Sequence, residues 1–439
     1  MQFLRRRHDQ LLEVRVVPSQ RVIFTPGGQV AVSFLVDIRP TTKLDQAPLI
    51  DMRFVFDKSG SMRHPGINDD LGVSKIEALR QGVSKVVAED LMPGDFALLE
   101  AFNDGSETVV AHQQLTAEIQ HLLAEKILLL EAGGFTHFSV AMETAMNTPL
   151  IPNTQPRIIF LTDGKSEGGN SPERDYAKME ELARRSHQLN LPWLIFGTGI
   201  GYNKPWLERL ALMAAPGSAF KHVSDISTLE ADLRGEISFL RGLAVDRLKV
   251  TAKTNRGIRI ERACHFMPDL REMKLEQEGR HFSDDSGGVD HLRGQQYLIH
   301  LLVDSPGLGD QQLLSLHFEG TSLAQGQLKF TADVPLKVNF TDQHVKETRP
   351  EQEVVRAQQK LIAKELVAQG KFKAGSEAFR KAGDPAMADL VQTLGNVAAG
   401  GGRQGRDAIH TLKTATVRVL TRDYTVVDSD DSDDTPSQS

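Results

Sequence analysis

FVFDKSGSM, residues 54–62, is the stretch on which the fold turns. Apolar residues suited to a buried strand stop at Asp57, and Ser59 and Ser61 follow at alternate positions. A strand interior has no use for such a cluster of oxygen-bearing side chains. The spacing suits a loop wrapped around one point, and Gly60 lets its backbone turn tightly. Taken alone, the triplet also reads as a strand-end turn followed by a helix N-cap.

Outward from this loop, residues 50–243 alternate strand and helix. The strands are MRFVF, DFALLEAF, RIIFLTD and PWLIFGTG. The first helix carries Val73, Ile76, Leu79, Val83, Val86 and Val87 at spacings that share a face. TAEIQHLLAEKILLLEAGG follows and stops on glycines, then SVAMETAMN, ERDYAKMEELARRSHQLN and KPWLERLALMAA. This alternation predicts an α/β unit: a doubly wound, Rossmann-like, mostly parallel sheet with helices on both faces. Ligands of such sheets sit outside the carboxyl ends of the strands. Three polar loops fall there: Asp57 to Ser61, GGFTHFSVAM with Thr136, and FLTDGKSEGG with Asp163. Alone, Thr136 reads as an N-cap for a helix starting at Ser139, and Asp163-Gly164 as a turn. Together they offer two carboxylates and three hydroxyls, a hard-oxygen set suited to Mg²⁺, with Mn²⁺ also fitting.

The flanks differ. Residues 1–49 hold LLEVRVVPSQ and QVAVSFLVDIRP around the turn TPGG, and residues 244–342 return to strand-like composition. Pairing between the two would make one β-sandwich-like domain into which the α/β unit is inserted. Residues 343–421 read as a helical segment, and 422–439 as a disordered acidic tail.

The three loops resemble the metal-ion-dependent adhesion site of von Willebrand factor type A domains: Asp-x-Ser-x-Ser, a separate Thr after glycines, and an Asp before Gly. Asp57, Ser59, Ser61, Thr136 and Asp163 supply every element. GTGIGYNKPWLERLA resembles the family's last strand, loop and helix. The resemblance spans about residues 50–240. It implies a central mostly parallel sheet with one short antiparallel edge strand. It also implies direct coordination by Ser59, Ser61 and Thr136, with the two aspartates acting directly or through water. Phe135 stands where the family usually has a small residue; His137 reads as a rim residue rather than a ligand, and Lys58 and Lys165 as solvated side chains, with attraction of an acidic partner as their alternative role.

The function this implies is binding, not turnover: a metal with an open position captures a carboxylate from a partner protein. The alternatives are a metal-assisted hydrolase and a scaffold whose metal only stabilises loops. No Ser-His-Asp arrangement, Walker-type loop or His-rich metal motif supports an enzyme. In the tail, Thr425 and Asp428 resemble the phosphothreonine ligands of forkhead-associated domains, so a phosphorylated Thr425 would offer a protein carrying such a domain a second docking point; the plainer reading is a solubilising acidic tail. The layout loosely resembles intracellular bacterial proteins, some associated with signalling or stress responses, and so suggests a signalling adaptor. A formal net charge of -7 argues against nucleic acid as a partner. The single cysteine, Cys264, excludes an intrachain disulfide and favours a cytoplasmic setting. No secretory signal and no run approaching the roughly 18–20 apolar residues of a membrane span is read.

Overall fold

The computed structural model describes residues 11–25, 27–41, 46–64, 73–163, 172–199, 203–223, 226–267, 271–291, 293–323, 328–343, 350–400 and 408. The chain opens with β1 (Leu12–Pro18), β2 (Val22–Phe24) and β3 (Gln29–Pro40). The α/β unit follows: β4 (Leu49–Asp57), α1 (Lys75–Asp90), β5 (Phe96–Phe102), β6 (Ser106–Gln114), α2 (Ala117–Leu128) and α3 (Phe138–Asn147). It continues with β7 (Thr154–Thr162), α4 (Pro172–Leu189), β8 (Trp193–Thr198), α5 (Lys204–Met213), β9 (Ala219–Val223) and α6 (Ile226–Gly242). Strands return as β10 (Leu243–Thr254), β11 (Ile258–Met267), β12 (Arg271–Glu272), β13 (His281–Asp285) and β14 (Val289–Asp290). Then come β15 (Gln295–Asp304), β16 (Gly309–Ser322) and β17 (Leu328–Thr341), followed by α7 (Gln352–Ala368), α8 (Phe372–Lys381) and α9 (Pro385–Ala399).

The central sheet runs β6-β5-β4-β7-β8-β9, parallel except for β6, which pairs antiparallel with β5. On β4 the side chains alternate. Ile50, Met52, Phe54 and Phe56 face one core with α1, α2 and α6, while Val55 faces the other with α3, α4 and α5. The continuous apolar run is thus a strand buried on both faces. α1 starts where Ser74 Oγ accepts from the Glu77 amide at 3.3 Å, and the Ser-x-x-Glu spacing matches a capping box. Ile76, Leu79, Val83, Val86 and Val87 then lie buried on one face, while Val73 precedes the cap. Burying Leu79 contributes about 1.5–3 kcal/mol by transfer, and truncation to Ala would cost about 2–5 kcal/mol.

β3 pairs antiparallel with β15 from Ile38↔Gln295 to Gln29↔Asp304, so residues on either side of the α/β unit share one sheet. That sheet, β1-β3-β15-β11-β12, packs face to face on β13-β10-β16-β17-β2. The outer face of the first sheet exposes Leu35, Cys264, Phe266, Met267 and Leu298, and α7 covers them with Val354, Ala357 and Leu361. α8 and α9 pack on the far end of α7 through Val367, Phe379, Met387 and Val391. No helix among the described residues is long and apolar enough to cross a membrane.

The chain enters and leaves the α/β unit at one neck. Arg241, at the end of α6, donates to Pro48 O at 3.0 Å and to Asp95 Oδ1 at 2.8 Å. Asp95 Oδ1 also accepts from the Ile50 amide at 3.0 Å. Since β4 begins at this neck, its carboxyl end lies at the opposite edge of the sheet.

Candidate metal centre

β4 connects through α1 to β5 on one side, whereas the chain returns through α3 to β7 on the other. The tips of β4 and β7 therefore flank the topological switch point, where an open α/β sheet leaves a crevice. Asp57 ends β4, and Asp163 directly follows β7.

Asp57 is completely buried. Its Oδ1 accepts from the Ser59 amide at 2.9 Å and its Oδ2 from Thr162 Oγ1 at 2.7 Å. Burial first, and the nearby charge of Asp163 second, push its pKa up to about 6, against the pull of the Ser59 and Thr162 hydrogen bonds. Ser59 Oγ lies 3.1 Å from Ser61 Oγ, in the short 3-10 turn Gly60–Arg63. The loop is stitched to the glycines before Thr136: Gly60 N donates to Gly134 O at 2.8 Å and Gly133 N to Lys58 O at 2.7 Å. A Cβ on Gly60 would meet Gly134 O at 3.0 Å, which explains the glycine inside the triplet. Gly134 adopts φ +79°, and a Cβ there would clash with Asp104 Oδ2 at 2.5 Å. Thr136 is buried between these glycines and α3.

Thr136 is not the helix cap that it resembles in isolation. α3 begins at Phe138, one residue before Ser139, and a carboxylate from α4 caps it. Asp175 Oδ2 accepts from the Phe138 amide at 3.0 Å and Oδ1 from the Ser139 amide at 2.9 Å. His137 is a rim residue, 35% exposed at its side chain, with Nε2 3.4 Å from Asp175 Oδ1, an orienting partner that the sequence does not reveal. Lys58 is not simply solvated, since it pairs with Glu107 at 2.5 Å. Lys165, Thr425 and Asp428 lie outside the described residues.

Asp163 is almost fully buried. Its Oδ2 accepts from Lys75 Nζ at 2.8 Å, while its Oδ1 is buried without a hydrogen-bond partner among the described residues. Lys75 escaped the sequence reading because only tertiary structure brings the start of α1 to the tip of β7. Among the described residues no group of three or more His, Cys, Asp or Glu side chains gathers. The donor set does fit a hard divalent cation: two close carboxylates that repel, one orphaned carboxylate oxygen and hydroxyls beside them.

The family model of the von Willebrand factor type A domain matches residues 52–165. The chain is similar in structure to "von Willebrand factor type A from Catenulispora acidiphila", with TM-score 0.68 at 14% identity over 94% of this chain and 98% of that one. It is also similar to the ArnB paralog VWA2 from Sulfolobus acidocaldarius, with TM-score 0.51 at 17% identity over 94% and 99%. At these identities the likeness is one of fold, here extending over nearly the whole chain. No curated protein matches the chain.

Proposed function

We propose, from the premise that residues 52–165 belong to a von Willebrand factor type A domain, that this chain is a metal-dependent protein-binding module. In this reading Asp57, Ser59, Ser61, Thr136 and Asp163 hold Mg²⁺, with Mn²⁺ as a working substitute. The metal supplies a Lewis-acidic position for a carboxylate of a partner protein. The chain's own residues do the rest. Asp57 and Asp163 supply negative charge from fixed strand ends, Gly60 and Gly134 allow the two loops to meet, and Asp175 fixes the start of α3 next to Thr136.

One observation carries the reading. Asp57 is fully buried, faces a second carboxylate, and among the described residues is met only by neutral donors. A buried pair of carboxylates without sufficient cationic charge is costly, and a divalent ion relieves it. The direct test is Mn²⁺ binding together with capture of native partners in Mg²⁺ against chelator. Asp57→Asn and Thr136→Val should bind Mn²⁺ far more weakly and lose partner capture while remaining folded in chelator. Partner capture that persists in a folded Asp57→Asn protein would move recognition to another surface.

A further inference from the structure

Lys75 is a cation that the adhesion-site pattern does not require. It occupies the first position of α1, where the helix dipole is positive and a positive side chain is disfavoured. Its ammonium nevertheless reaches Asp163 Oδ2 at 2.8 Å, in a pair 14% and 5% exposed. The route is kept open by Gly199, just after β8. A Cβ there would stand 2.8 Å from Lys75 Cε, and the residue holds φ +85°. The other Asp163 oxygen is buried and unpartnered among the described residues, and is thus available for a second electrophile.

The charges then add up in a telling way. Counting Asp57, Asp163 and Lys75 alone, two carboxylates and one ammonium leave one negative charge, and a divalent ion brings that set to one positive. A monoanion would neutralise it. Resting on the metal-binding reading above, we infer that Lys75 is a tethered counter-cation. It shares Asp163 with the metal, weakens the protein's hold on that metal, and leaves the loaded site with positive charge that selects an anionic group on the partner. Lys75 is a positioning and charge-setting residue, not a ligand.

The experiment is a Mn²⁺ titration of the full chain, read by electron paramagnetic resonance of free Mn²⁺, for wild type, Lys75→Met and Lys75→Arg. Lys75→Gln stands in if Lys75→Met fails to fold. Removing the unit charge paired with Asp163 should tighten Mn²⁺ binding by ~10-fold or more, while Lys75→Arg should stay near wild type. With Mn²⁺ bound, acetate as the carboxylate probe should bind more weakly to Lys75→Met than to wild type. A wild type that binds Mn²⁺ and a Lys75→Met protein that binds it equally or less tightly would overturn the role of Lys75 and leave the metal reading standing. Absence of Mn²⁺ binding in every variant would overturn both. Binding only after the charge is removed would support the counter-cation strongly.

Discussion

β4 carries a buried aspartate near each end, and the two are treated in opposite ways. Asp51, near the neck, is fully buried, but Arg53 donates to its Oδ2 at 2.8 Å and His112 Nε2 lies 2.8 Å from its Oδ1. Burial pushes its pKa up, yet the hydrogen bonds and charges of His112 and Arg53 more than offset this, and the pKa falls below the usual carboxylate value. Arg53 is itself saturated, donating to Ala145 O, Thr148 O and Pro149 O at the end of α3. Asp57, equally buried, is met by an amide and a hydroxyl, and its pKa goes up to about 6. One end of the strand has its cation built in, while at the other the carboxylate meets only neutral donors among the described residues. Burial alone therefore does not mark a functional aspartate; what surrounds it does.

The largest expected effect breaks the satisfied end. Arg53→Met leaves Asp51 buried without its ion partner and strips the carbonyls that end α3. It should destabilise the protein by about 3–5 kcal/mol in urea unfolding, with the same loss in Mg²⁺ and in chelator. Next comes the unsatisfied end. Asp57→Asn should weaken Mn²⁺ binding by ~100-fold, equivalent to about 2.7 kcal/mol.

Acidity separates the two aspartates by sign. In chelator, Asp57, with a raised folded pKa, favours folding fully below its unfolded value of 3.8, and that contribution is lost as pH rises towards about 6. Asp51, with a lowered folded pKa, contributes stability above 3.8 that is lost as pH falls through its folded value. Asp57→Asn should thus melt above wild type at pH 7 in chelator, with the gap closing near pH 4. Saturating Mg²⁺ at pH 7 should reverse the order, because only wild type gains from the ion. The smallest effect sharpens the satisfied end. His112→Phe removes one hydrogen bond to Asp51 and should cost about 1–2 kcal/mol, again without any change in metal response.

The same strand shows how far residues alone lead. The apolar stop at Asp57, the glycines before Thr136 and the strand ending at Asp163 were readable because they are local, and the sheet edge gathers them. Arg53 hides inside MRFVF, where its burial depends on carbonyls from α3. Glu100 hides likewise inside DFALLEAF. It is buried and accepts from Ser106 at 2.9 Å and from Thr108 on β6, an edge strand that the family likeness implied but SETVVAHQQ did not announce. β9 and α6 were also missed as separate elements, the first because AFKHV is short and only half-buried. Lys75 meets Asp163 across 88 positions and Asp175 meets Phe138 across 37, contacts that only the packing of α1 and α4 creates. Pairing across the inserted unit was only a condition in the sequence reading; β3 against β15 meets it in the structure.

That last pairing sets an order of assembly. A ribosome delivers Val32, Phe34, Val36 and Ile38 long before Gln295 to Asp304, the ribbon they must lie against. In the interval every strand of the central sheet has emerged, and its pairings are the more local ones. The central sheet can therefore close before β3 finds β15, and until then β3 has only β1 to pair with. A nascent polypeptide halted before residue 295 would carry a finished inner unit trailing a sticky, unclaimed leader, a natural client for holdase chaperones.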